Sequence, residues 1–187
     1  MDWASWVSAP QSACKNSSGG DCDPGDTFNG GEVEVKGLEI TASTAFQGRG
    51  VTFPIALTMS NTSAEFQTSF ENGDYWGTVA AGDDVPYFPD SQLSAVIGFV
   101  TESGLSGDMR LVKYGSTCST AQCGAFENIE PYTYLDLGLR KQLSDNMNVY
   151  TVIENVSDHA DIVARAPKNG ARSQKPRSFK IGFTYKF

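Results

Sequence analysis

Residues 179–187 read Phe-Lys-Ile-Gly-Phe-Thr-Tyr-Lys-Phe, with apolar side chains at every odd position and Lys180, Gly182, Thr184 and Lys186 between them. Side chains on a strand alternate between faces, so this stretch has one apolar face and one polar face. In a soluble sheet the apolar face would be core. Here four of its five residues are aromatic, and no polar tail follows. A sticky terminal strand of that kind is what soluble sheets avoid at their edges. A strand sealed into a transmembrane barrel escapes the problem, because lipid is the solvent for its aromatic face. The alternative is a soluble β-sandwich whose edge strand is unusually aromatic.

The same alternation recurs upstream. Leu38, Ile40, Ala42, Thr44 and Phe46 form one row, and Phe53, Ile55, Leu57 and Met59 a second. Leu93, Ala95, Ile97 and Phe99 form a third, and Leu135, Leu137, Leu139 and Leu143 a fourth. Strands are also expected around 109–114 and 148–156, where parity is weak, which brings the count to seven. Val33 and Val35 have the opposite parity to Leu38, so a bulge or a change of environment is expected near Lys36-Gly37. Residues 1–30, rich in Ser, Gly and Asp, read as a loop.

Connections alternate in length. Those at 47–50, 103–107 and 144–146 are short, while 71–86, 116–131 and 157–176 are long. Outer-membrane barrels have short periplasmic turns and long outer loops in this order. No run of about 18 apolar residues is present to cross as a helix, and the polar half of each strand accounts for a mean hydropathy below zero. A net charge of −8 argues against nucleic acid as a partner. An odd strand count does not close a single-chain bacterial barrel, and Met1-Asp2-Trp3 lacks the basic start and apolar core of a signal peptide. Together these suggest the C-terminal part of a larger barrel.

The cysteines fall into two close pairs, Cys14 with Cys22 and Cys118 with Cys123, in loop-like surroundings. Zinc would want tighter spacing and histidines, and the only one is His159. Local disulfides in an oxidising compartment are expected instead.

Several ordered pieces resemble the last third of TonB-dependent outer-membrane receptors, which are 22-stranded barrels importing iron chelates and cobalamin. They are Gly31 to Glu39 (GEVEVKGLE), Val85 to Pro89 (VPYFP), Pro131 to Leu137 (PYTYLDL), Val152 to Val156 (VIENV), Asn169 to Arg172 (NGAR), Lys175 to Phe179 (KPRSF) and the terminal Phe187. Within the family, Ile162 to Pro167 (IVARAP) is most similar to the ferric dicitrate and siderophore branch. The terminal Lys180, Gly182, Tyr185 and Phe187 also fit the C-terminal signal of bacterial outer-membrane barrels, which the barrel assembly machinery reads.

The resemblance implies an all-β fold: seven C-terminal antiparallel strands of a 22-stranded barrel, over residues 31–187, with residues 1–30 as the remnant of an extracellular loop. It implies import of a ferric chelate, ferric citrate or siderophore, with energy from TonB delivered through a plug domain that this sequence does not contain. No transport is then expected from these residues alone. A barrel that only binds, without transport, is the competing function. Iron enters only as part of the cargo, with no resident cofactor.

Guanidinium groups bind carboxylates with paired hydrogen bonds, so Arg165, Lys168 and Arg172 in the last long loop are candidate contacts for an anionic chelate. Lipopolysaccharide phosphates compete for the same cations. Arg140 and Asp136 share one face and are expected to pair. Tyr75, Trp76 and Tyr87 are expected in an aromatic girdle at the membrane interface. Ser157, Asp158 and His159 are adjacent in sequence, whereas triad members converge from separated positions, so no enzyme is expected.

Overall fold

The computed structural model describes residues 3–8, 27–72, 77–165 and 170–187, with 3–8, 27–31, 71–72 and 77 described by backbone alone. Its main element is one eight-stranded antiparallel meander. The strands are β1 (Trp3–Ser8), β2 (Thr27–Gly48), β3 (Val51–Phe66), β4 (Ser91–Thr101), β5 (Leu105–Tyr114), β6 (Tyr132–Ser144), β7 (Met147–Glu154) and β8 (Ser178–Tyr185), each paired with its sequence neighbour. Seven are the strands expected from the sequence.

The eighth is a correction to the reading of residues 1–30 as loop: Trp3–Ser8 pairs with Thr27–Val33, with one irregularity between Ala4 and Trp6. That partnership is non-local, and composition carries no trace of it. With eight strands, β1 begins at the same short-turn edge at which β8 ends, so the expected odd count does not hold.

Register aligns the apolar rows into one continuous face. Ile40 lies opposite Met59, Met59 opposite Leu93, and Leu93 opposite Lys113. Further along, Met109 faces Leu137, Leu137 faces Ile153, and Ile153 faces Phe179. These side chains are open: Leu38, Phe46 and Phe183 are exposed, and Ile181 retains 85% of its surface. An apolar face of this extent, rimmed by polar residues, belongs against lipid. The other face carries Thr58, Ser94, Arg110, Asp136, Tyr150 and Lys180.

The buried core lies elsewhere. Phe66, Val33, Val79 and Ala121 pack together, with Phe70 and Val85 against them. This cluster sits where β2 and β3 run past the apolar band. Val33 faces Phe66 in an unbroken ladder down to Gly48 and Val51, so no bulge occurs at Lys36-Gly37. The parity break instead marks a change of environment. Odd positions of β2 lie on the polar-row side, and above the band that side is covered by the first long loop.

Each long loop folds on its own short ribbon. Phe70–Asn72 pairs with Gly77–Val79, Thr117–Cys118 with Asn128–Ile129, and Ile162–Ala164 with Arg172–Ser173. The first loop also continues the sheet: Phe66 N–H donates to Asp83 O and Val85 N–H to Ala64 O, both at 2.9 Å. Backbone groups beyond the reach of β4 are satisfied in this way.

Candidate functional site

The segment Tyr132-Thr133-Tyr134-Leu135 alternates, so Tyr132 and Tyr134 share the polar-row face while Leu135 joins the apolar one. Register brings Tyr114 of β5 directly opposite Tyr132. The three rings form a cluster: Tyr114 stacks on Tyr132 at 5.0 Å, and Tyr134 meets them edge-on at 6.4 and 5.7 Å. Such pairs add about 0.5–1.5 kcal/mol each beyond their burial. All three are half-buried, at the long-loop end of the sheet, and offer aromatic faces and hydroxyls.

The last long loop is seated beside this cluster by Asn155, whose φ of 50° turns the chain out of β7. Asn tolerates this left-handed geometry better than most residues. Its side chain is buried, and its amide nitrogen donates to His159 O and Lys175 O at 2.8 Å each. Asn155 N–H donates to Asp136 Oδ1 at 2.9 Å. Buried Gln174 then donates from Nε2 to Thr133 O at 3.0 Å, taking the place of a strand neighbour that β7 no longer provides. No ion pair joins Asp136 to Arg140, contrary to expectation. Arg110 lies opposite Asp136, Arg140 lies opposite Ser106 and Tyr150, and the Asp136 carboxylate caps the turn at Asn155.

Tyr87 ties the three loops together, which corrects its expected place in a membrane girdle. Its backbone has φ 60°, its N–H donates to Cys118 O at 2.7 Å, and its hydroxyl donates to Arg165 O at 3.0 Å. The Arg165 guanidinium sits 4.2 Å from the centroid of the Phe126 ring, a cation–π contact. Tyr75 and Trp76 lie outside the described residues.

Of the three candidate ligand cations, Arg165 is thus engaged between loops. Arg172 is exposed on the ribbon Arg172–Ser173 and has no ion pair among the described residues, and Lys168 lies outside them. Other cations near the terminus are neutralised. Glu154 takes Lys175 and Lys180 together and accepts Ser178 Oγ at 2.8 Å, and Arg177 lies 3.6 Å from Asp158. Lys180, expected in an assembly signal, therefore also has a partner within the fold. Ser157 Oγ donates to Asn155 Oδ1 at 3.3 Å, and Asp158 Oδ1 accepts Arg177 N–H. Ser157 and Asp158 thus serve the loop's own turn. Among the described residues no group of three His, Cys, Asp or Glu is placed to hold a metal.

Cys118 and Cys123 are bonded, with Cα atoms 5.6 Å apart; Cys14 and Cys22 lie outside the described residues. Closing so short a loop is worth roughly 2 kcal/mol through the unfolded chain. Peptide mapping without reductant should recover Cys118 and Cys123 as one linked species. Recovery of both as free thiols, or of a Cys22–Cys118 link, would contradict this arrangement.

Residues 8–156 match the family described as TonB dependent receptor-like, beta-barrel. The chain belongs to that family. No curated protein matches it. Among solved structures, the outer membrane transporter YddB of Escherichia coli is similar at a TM-score of 0.67, with 14% identity over 94% of this chain and 28% of that one. The ferric yersiniabactin uptake receptor FyuA of Yersinia pestis gives 0.64 and 19% over 87% and 25%. The ferric-catecholate import receptor Fiu of E. coli K12, in its closed form, gives 0.62 and 17% over 94% and 23%. At these identities the likeness is one of fold, and the chain spans about a quarter of each relative's length. The sheet is accordingly a wall segment of a bacterial outer-membrane barrel, with its apolar face toward lipid and its long loops outside.

Proposed function

We propose that this chain forms part of the wall and outer mouth of a receptor that imports ferric chelates, ferric citrate or siderophore, with energy supplied by TonB through a plug domain. The supporting observation is the tyrosine cluster of Tyr114, Tyr132 and Tyr134, held at the outer end of the polar face beside the exposed Arg172. Aromatic faces suit a chelate with ring-bearing iron ligands, while the guanidinium suits a carboxylate. Arg165 would then act from between the loops and Lys168 from the same loop. The barrel assembly machinery would engage β8 through Tyr185 and Phe187, whose rings meet edge-on at 5.3 Å.

The test is iron-55 uptake and equilibrium binding by the receptor that contains this chain, with a ferric tris-catecholate and with ferric citrate. Tyr132→Leu with Tyr134→Leu should weaken the catecholate about tenfold, and Arg172→Ala should weaken the citrate complex by about the same factor. Wild-type binding of both chelates in both variants would sink the reading.

A further inference from the structure

The lipid-facing rows are apolar almost throughout, and two lysines interrupt them at opposite rims. Lys141 stands on β6 at the short-turn edge, where its Nζ donates to Ser103 O at 2.6 Å. Lys113 stands on β5 at the long-loop edge, opposite Leu93 of β4 and Thr133 of β6. It is exposed and has no ion pair among the described residues. An unpaired ammonium on a lipid-facing row is costly within hydrocarbon and is tolerated where its stem lies on apolar surface and its head reaches a polar interface.

The surface beneath Lys113 is a trough of about 390 Å³, with Leu38, Ile40, Met59 and Leu93 along it and Ser91 and Lys113 at its upper rim. Nearby carboxylates are occupied. Asp90 Oδ1 accepts the Ser91 hydroxyl at 3.0 Å, and Glu34 holds Lys36 at 2.7 Å. The trough is continuous with the lipid-facing surface, and its rim lies on the outer-leaflet side. One cation above an open apolar channel matches an amphiphile with an anionic head.

We propose that this trough is a specific site for a phosphorylated, acylated lipid of the outer leaflet, with an acyl chain along Leu38, Ile40, Met59 and Leu93 and a headgroup phosphate on Lys113. The site lies on the opposite face from the tyrosine cluster and does not depend on which chelate is carried. A lysine beside an anionic headgroup at the membrane surface changes affinity by about fivefold, and the apolar floor adds selectivity for a chain-bearing phosphate over a free one.

The test uses the intact receptor, delipidated in zwitterionic detergent, with bound lipid counted by native mass spectrometry. The probes are lipid A, fully dephosphorylated lipid A and inorganic phosphate. Lys113→Gln should lower lipid A occupancy about fivefold, Lys113→Arg should retain it, and Lys141→Gln at the opposite rim should leave it unchanged. Ile40→Trp, which fills the trough and leaves the charge, should also lower it. Heat-modifiable mobility on gels confirms that each variant is folded, and ferric-chelate binding measured on the same samples should stay at the wild-type level. Wild-type lipid A occupancy in Lys113→Gln would overturn the site, as would equal binding of the dephosphorylated lipid. Displacement of lipid A by millimolar inorganic phosphate would reassign Lys113 to free anions and equally overturn it.

Discussion

Replacing Gly182 by valine should prevent β8 from docking on β7. A Cβ at Gly182 would lie 2.5 Å from both Cζ and Oη of Tyr150, which stands directly opposite. The tyrosine ring occupies the space over the glycine, as aromatic residues do across strand glycines elsewhere. Valine forces that ring off its position, at a cost of about 1–3 kcal/mol for an overpacked site. Because β8 pairs only with β7 among the described strands, the cost falls on the last step of sheet formation. We expect Gly182→Val to lower the folded fraction in urea titrations of the refolded barrel and to reduce outer-membrane levels. Tyr150→Ser in the same background should recover part of the loss by vacating the space. An unchanged urea midpoint for Gly182→Val would show that Tyr150 does not hold this position.

Phe66→Ala should loosen the outer-loop layer while leaving the membrane-spanning sheet in place. Phe66 is fully buried, meets Phe70 edge-on at 5.3 Å, and centres the cluster with Val33, Val79 and Ala121. Removing a buried phenylalanine costs about 3–5 kcal/mol, most of the stability available to a loop layer of this size. Local openings of such a unit need not involve the whole protein. Limited proteolysis of the receptor in detergent should therefore cut within 67–90 and 115–131 in the variant and spare the strands. Protection equal to wild type would mean that the loop layer is held by something other than this cluster, for instance by the Tyr87 links.

Some of these features were legible in the sequence and some were not. Parity is local: once Leu38 to Phe46 or Phe179 to Phe187 forms a strand, side-chain alternation alone assigns its faces. The apolar rows, the short turns and the long loops followed from that, as did the fold class. Cys118 and Cys123 were also readable, because five residues of loop leave few other ways to pair.

What lies opposite what was not local. Tyr132 and Tyr134 are visibly alternate, yet Tyr114 joins them only because register places it across from Tyr132, and the parity of 109–114 was ambiguous. Gly182 read as part of a terminal signature, whereas its steric role depends on Tyr150, 32 positions earlier. Phe66 sat in a stretch that read as polar, and Trp3–Ser8 in one that read as loop.

The sequence by itself determined that this chain forms long antiparallel strands with one lipid-compatible face, because strand periodicity depends only on neighbours along the chain. Only the tertiary structure decided where the core lies and which cations remain free. Burial of Phe66, and the capture of Lys175 and Lys180 by Glu154, depend on which distant segments meet, and alternation within a strand carries no information about that.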